Sequence, residues 1–350
     1  MMVMLIGFGA LAIDIGYLLV VRNELQNASD AAALTGAQCL YPRSECLNQT
    51  SPSPDWSTAE QRATAAVSLN KSSGVVLTDG QINTGYWNVK RTPYGMQALP
   101  MTPVANDAAA IQVTITRQSG MNGGPVSTFL ATVLGVPSVP VSATSVAVIT
   151  YPGSVGPGGL FPVAMTKCLF DNYWDSANNR PKTATSTDPL PGQTVGQTVG
   201  QPYVFRIGSS YHVGPCESGQ WTTFQDVINS VQGLRDLISD GNAKGISIGD
   251  TPGTYIQPGT ENALFNDVDA CSAAGDKSCE YVTIPVVSTL DPKTYQVISA
   301  FACLHILSAK NGSDPYLQVQ MSADTTHCET ENAGGSGPAY GALTPPRLAL

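Results

Sequence analysis

The sequence predicts an α+β protein in three parts: a long N-terminal membrane-spanning helix, a small α+β module, and a mostly β distal domain. Three observations carry this reading. The chain opens on an almost wholly apolar stretch, Met1–Val21. Charged residues make up only 12% of the 350, against roughly 25% in ordinary globular proteins, while 34 Gly and 25 Pro punctuate the remainder. Short runs of alternating β-branched residues recur between turn signals, the pattern of half-buried strands.

Within Met1–Val21 the only ionisable groups are Asp14 and Tyr17. About 20 consecutive apolar residues suffice to cross a bilayer core as a helix. A lone segment in that core must close its own backbone hydrogen bonds, which leaves helix as the option. The rival is a cleaved signal peptide, which would have a basic start and a shorter apolar run; no Lys or Arg precedes Arg22 here. A buried helix of a soluble protein is a third possibility. Asp14 would cost about 2.5–3.5 kcal/mol at the centre of a bilayer, so it needs a partner, a proton or an interface. Either it meets a positive group, such as a neighbouring subunit's amino terminus, or it lies near the outer leaflet and stabilises one helix. Gly9, Ala12 and Gly16 fall at three- and four-residue steps, a stripe that permits close helix packing or is merely tolerated in lipid. Arg22 is placed to snorkel at the interface.

The helix continues past the apolar stretch. Leu18, Val21, Leu25, Ala28, Ala32 and Ala33 keep a helical spacing, so residues 1–37 are read as the transmembrane helix and its exported continuation. Residues 38–150 form the α+β module: a helix entered through a Ser57/Glu60 capping box, strands near 75–77, 80–88, 109–116 and 139–150, and a short helix over Val126–Leu134 ending at Gly135. In the third strand Ile111, Val113 and Ile115 alternate with Gln112, Thr114 and Thr116, so it should be half-buried. Residues 151–159 (YPGSVGPGG) read as a linker. Residues 160–333 are the β-rich exported domain, with strand candidates at 161–165, 203–207, 281–287, 295–307 and 316–321. Its helix is expected over Thr223–Ser239, entered through Thr222 and Gln225 and stopped by Gly241. The repeat GQTVGQTVGQ at 192–201 reads as a flexible surface loop, and 334–350 as a flexible tail.

Eight cysteines, an even number, suit disulfides formed in an oxidising compartment. Proximity suggests the pairs Cys39–Cys46 and Cys271–Cys279. Zinc-type spacing is missing and His212, His305 and His327 are scattered. Asp267, Asp269 and Asp276 are read as a solvated loop in preference to a calcium site. The net charge of −9 argues against nucleic acid, whose phosphates need a basic face. No hydrolase elbow, zincin helix, phosphate loop or C-x-x-C motif is present, so the sequence points to no catalytic residue, no cofactor and no small-molecule substrate.

One stretch has a recognisable form. GFGALAIDIGYLLVVRNELQNASDAAALTGAQ resembles the N-terminal segment of TadG-like and TadE/TadG-like pilus assembly proteins. The resemblance rests on Asp14 and Gly16, Arg22, Leu25, Gln26 and the run Asn27–Ala37. It extends more thinly through Gly85-Tyr86-Trp87, Ile111–Thr116 and Phe129–Gly135, which makes the α+β module TadG-like. The resemblance implies a non-enzymatic, membrane-anchored component of Flp (tight adherence) pilus assembly, related to type IV systems. It would be a minor pilin or assembly factor acting through its N-terminal helix. Implied partners are the inner membrane and other pilus assembly proteins or pilins. The implied location is the bacterial inner membrane, single-pass, with the bulk of the chain periplasmic or extracellular. Two departures stand beside it. Members usually carry a basic stretch before the apolar helix, so a late start codon or another export signal is implied. The D-x-S-x-S metal motif of larger relatives is missing, and metal-dependent adhesion is not carried over. The alternative is an envelope adhesin or binding module that shares only the anchor.

Overall fold

The structure is a computed structural model that describes residues 2–41, 46, 54–104, 106–208, 210–228, 230–259 and 261–350, with side chains from residue 11 onward. The chain forms two compact units, Met1–Ile149 with Pro346–Leu350, and Thr150–Pro345.

Unit 1 is built on α1, Met2–Gln38, a single uninterrupted helix as its proline-free sequence predicts. Val21, Leu25, Ala28, Ala32, Ala33 and Ala37 are buried at three- and four-residue steps. They pack on α2 (Trp56–Val67) and on the sheet. That sheet contains β1 (Gln81–Asn88), β2 (Met96–Ala98), β3 (Asp107–Arg117) and β4 (Val141–Ile149). Its order is Arg347–Leu348, β4, β3, β1, β2, with every neighbour antiparallel. On β3, Ile111, Val113 and Ile115 are fully buried while Gln112, Thr114 and Thr116 lie half-buried, the predicted alternation. The opposite face is tied by Thr114–Thr144 and Thr116–Ser142 hydroxyl pairs at 2.9 and 2.8 Å. Helix and sheet approach closely because the contact residues are small. A Cβ on Gly36 would stand 2.9 Å from both the Ala59 carbonyl oxygen and the Ala63 Cβ. The cap of α2 is Asp55, not Ser57: its carboxylate accepts from the Thr58 amide at 3.0 Å and from the Thr58 hydroxyl at 2.8 Å.

Residues 126–139 depart from the helix predicted over Val126–Leu134. They form a ribbon, Val126–Ser127 against Ser138–Val139, tipped by a 3-10 turn at Ala131–Leu134. The ribbon holds because the Thr128 amide donates to the Pro137 carbonyl at 3.0 Å, which a helix through this segment would forbid. Gly135, at φ 85, ends the turn at the predicted stop.

Unit 2 carries a six-stranded sheet of β5 (Val163–Thr166), β6 (Val204–Ile207), β7 (Gly219–Trp221), β8 (Tyr281–Val287), β9 (Ala300–Lys310) and β10 (Tyr316–Met321). The order is β6-β10-β9-β8-β5-β7; β5 runs parallel to β8 and the other neighbours are antiparallel. Three short helices accompany it: α3 (Lys167–Tyr173), α4 (Val231–Asp240) and α5 (Leu264–Cys271). The core joins Met165, Phe205, Trp221, Phe265, Ile284 and Phe301 from sheet and helices. All eight cysteines are bonded, as Cys39–Cys46, Cys168–Cys216, Cys271–Cys279 and Cys303–Cys328.

Four sequence expectations for unit 2 differ from the fold. Helix α4 begins at Val231 with Ser230 as its cap, not at Thr223. The Thr222 hydroxyl is committed to the Tyr255 carbonyl, and Phe224 sits at φ 59, so no helix can start there. Residues 151–159 do not form a bare linker: Ser154–Val155 pairs with Ile246–Ser247 on one side and Ala333–Gly334 on the other. The tail is likewise ordered, with Ala342, Leu343 and Thr344 buried in unit 2 and Arg347–Leu348 completing the sheet of unit 1. Finally, the GQTV repeat is anchored by its glutamines. The Gln193 side chain takes both the amide (2.7 Å) and the carbonyl (3.3 Å) of Arg206, and Gln197 takes both those of Val204 (2.8 and 2.7 Å). A four-residue repeat thereby meets every second residue of edge strand β6, where one backbone edge exposes its polar groups about every 6.6 Å.

Candidate functional site

The residues singled out in the sequence converge on α1, and the structure divides them. Asp14 is 2% exposed although its helical neighbours stand in the open. Its Oδ1 accepts from the Phe129 amide at 2.7 Å, and its Oδ2 from Leu130 and Ala131 at 3.0 and 2.6 Å. These are the donors that a 3-10 turn leaves without internal partners at its start. The carboxylate therefore caps a turn that lies 115 to 117 residues further along the chain. Charge-assisted bonds of this kind are roughly twice as strong as neutral ones. Tyr17 completes the clasp: its ring meets Phe129 edge-on at 5.4 Å and its hydroxyl bonds the Ser73 hydroxyl. Asp14 thus has partners within its own chain, beside the two sequence readings of a positive group on a neighbour or a position near the outer leaflet.

Ala12 and Gly16 are exposed, and nothing lies within 4 Å of a Cβ built on Gly16. Among the described residues, no helix packs on the stripe at Ala12 and Gly16. The side-chain surroundings of Gly9 lie outside the described residues, and Arg22 is exposed. Away from Asp14 and Tyr17 the helix surface around the stripe is apolar, with Leu11, Ile13, Ile15, Leu19 and Val20 all exposed. Among the described residues no helix is long and apolar enough to cross a membrane. The membrane span expected over Met1–Val21 is therefore not shown by the fold.

Beyond Val21 the motif residues have structural work that sequence reading missed. Gln26 Nε2 donates to the Ser145 hydroxyl at 2.8 Å and to Asp30 Oδ1 at 2.9 Å, and Ser29 meets Ser145 at 2.7 Å. The Ser145 hydroxyl also donates to Asp30. Ser145 lies on β4, so this polar knot fixes α1 on the sheet, while the alanines and Gly36 let the backbones approach. The signal for it was the polar pair Gln26 and Asp30 set among alanines; its partner on β4 carried none.

Elsewhere the acids near Cys271 do not form a common site. Asp267 pairs with Arg235 at 2.8 Å, Asp269 accepts from the Ala309 amide at 2.9 Å, and Asp276 accepts from Ser278. His305 and His327 both stack on Tyr281, each at 4.5 Å, and bond Glu280 and Asp324 respectively.

Comparison with known families agrees with the α1 motif. Residues 1–38 match the family described as Flp pilus-assembly TadE/G-like, and residues 35–147 match that described as Tad-like Flp pilus-assembly. The two matches overlap at 35–38 and together cover α1 and the sheet of unit 1 up to residue 147, so this part of the chain is similar to Tad-like Flp pilus-assembly proteins. No curated protein and no solved structure matches the chain.

Proposed function

We propose that the chain is a non-enzymatic, membrane-anchored component of Flp-type pilus assembly. The apolar start of α1 holds it at the bacterial inner membrane, and both units lie on the exported side. One observation carries the reading: Leu11, Ile13, Ile15, Leu19 and Val20 stand exposed on the helix before Val21, whereas from Val21 on its apolar residues are packed into unit 1. So large an exposed apolar surface on one helix belongs in an apolar surrounding. The four disulfides suit an oxidising compartment, and the family matches supply the pilus context. Its partners are then other pilus components, and its role that of a minor pilin or an assembly factor.

Deleting the gene and restoring it tests this directly. Surface filaments should vanish and return with the full chain, which should also resist alkaline extraction from membranes. Filaments of normal number with lost attachment would instead favour an adhesin that shares the anchor. Recovery of the chain in sheared filaments would select the minor pilin, and its retention in the membrane alone the assembly factor.

A further inference from the structure

Beyond its clasp by Asp14 and Tyr17, the tip of the 126–139 ribbon presents an exposed apolar surface. Thr128–Pro137 holds no charged residue. Val133 and Leu134 are 84% and 77% exposed, and Phe129 is 64% exposed. Isolated apolar side chains on a surface need no explanation, but a contiguous patch marks an interaction site. This patch runs directly into the exposed face of α1, because Asp14 and Tyr17 clasp the tip between Leu11 and Leu19.

Most amides of the tip are bonded within the protein. Thr128 donates to Pro137, Val133 to Leu130, Gly135 to Thr132 and Val136 to Ala131, all between 3.0 and 3.1 Å. The amides of Phe129, Leu130 and Ala131 are taken by Asp14. The Thr128 and Thr132 hydroxyls fold back onto the Val136 and Thr128 carbonyls. In water such bonding is unnecessary, since solvent satisfies exposed amides. In hydrocarbon each unsatisfied backbone group costs several kcal/mol. The same three bonds that satisfy the tip also disperse the one charge in this part of α1.

From these observations we infer that the ribbon tip, with Phe129, Val133 and Leu134 at its crown, inserts into the bilayer beside α1 as a second, non-helical membrane element. The inference rests on the anchoring reading given above. The occupant is the acyl region of the leaflet nearest unit 1. A protein partner would need one groove-facing stripe, whereas the exposed apolar side chains here spread over more than one face, with Leu11, Ile15 and Leu19 along one line of α1, Ile13 and Val20 on another, and Phe129, Val133 and Leu134 on the tip. Arg22 lies eight residues beyond Asp14, about 12 Å along the helix axis. With Arg22 at the headgroups, the clasp and its tip fall within one leaflet of a hydrocarbon core about 30 Å thick.

The test places an environment-sensitive fluorophore on single cysteines introduced at Ile13 or at Val133 in the full chain. Both positions are exposed and all native cysteines are bonded, so neither label disturbs packing. The labelled protein is reconstituted into phosphatidylethanolamine–phosphatidylglycerol vesicles with or without doxyl-labelled lipid. The expected result is that both probes lose most of their emission to doxyl lipid and little to aqueous iodide. A quenched Ile13 probe with an iodide-accessible Val133 probe overturns this inference and leaves the anchor standing. If neither probe meets doxyl lipid, the anchoring reading fails and takes the inference with it. A Val133 probe shielded from both quenchers places the tip against a second protein surface, and that too overturns it.

Discussion

Along α1, Leu11, Ile15 and Leu19 stand exposed in one line, whereas Val21, Leu25, Ala28 and Ala32 are buried against α2, β3 and β4. Both halves are apolar and both keep helical spacing. What separates them is the company of small and polar residues. The second half has alanines and Gly36, which allow the sheet to approach, and Gln26, Ser29 and Asp30, which bond Ser145. The first half has Asp14 and Tyr17, which hold the turn at Phe129–Ala131 and the Ser73 hydroxyl. Apolar periodicity alone thus says that a face will be buried, and the interspersed residues say by what.

The largest expected effect breaks this contrast at its centre. Leu25→Ala should cost about 2–5 kcal/mol, as for other buried leucines, whereas Leu19→Ala on the exposed half should stay within about 0.5 kcal/mol. Urea unfolding of the two variants measures both, and equal losses would show that the halves are packed alike. Gly36→Ala comes next, at about 1–3 kcal/mol for overpacking a close contact. A compensating Ala63→Gly should recover part of that loss, since the new Cβ meets Ala63 at 2.9 Å.

Asp14→Ala should act locally, leaving three amides without an acceptor at about 1–3 kcal/mol in the clasp. Hydrogen exchange at Phe129, Leu130 and Ala131 should quicken while exchange in β3 and β4 is unchanged. Uniform quickening would mean that Asp14 supports the whole unit. Ser145→Ala removes the hub of the polar knot and should cost on the order of 1 kcal/mol, read as a shift in the urea midpoint.

The smallest effect concerns the sheet beneath the buried half and is read by pH. Burial raises the pKa of Asp107, but hydrogen bonds from the Val104 amide, Gln97 and Asn88 outweigh it and hold the carboxyl below its ordinary value. Its folded pKa is thus depressed relative to the unfolded chain. The stability it contributes is fully present above the unfolded value and is lost as pH falls through the folded one. Thermal unfolding followed through that acid window should show the loss in the native chain and a flatter profile in Asp107→Asn.

Much of unit 1 was legible because its signals are local. The step from Leu18 to Ala33 set the buried face of α1, the alternation of Ile111, Val113 and Ile115 set β3, and Gly135 and Gly241 marked stops. The clasp was not legible, since nothing near Asp14 announces Phe129–Ala131. Thr223–Ser239 looked helical for the same reason: its apolar stripe is local, while the bond from Thr222 to Tyr255 that forbids the helix start is not. The segments 151–159 and 334–350 misled through composition, because Gly and Pro mark turns as readily as disorder, and here they bring short strands into register.

The GQTV repeat has a consequence for self-association. An uncovered strand edge is a template on which a second chain can add, and β6 is the edge of the unit 2 sheet. Gln193 and Gln197 occupy the backbone groups of Arg206 and Val204 that such a chain would need. A chain shortened by one GQTV unit would free one of those two sites and offer it to its neighbours. The copy number of a sequence that looks like filler therefore sets how far this sheet can grow beyond one molecule.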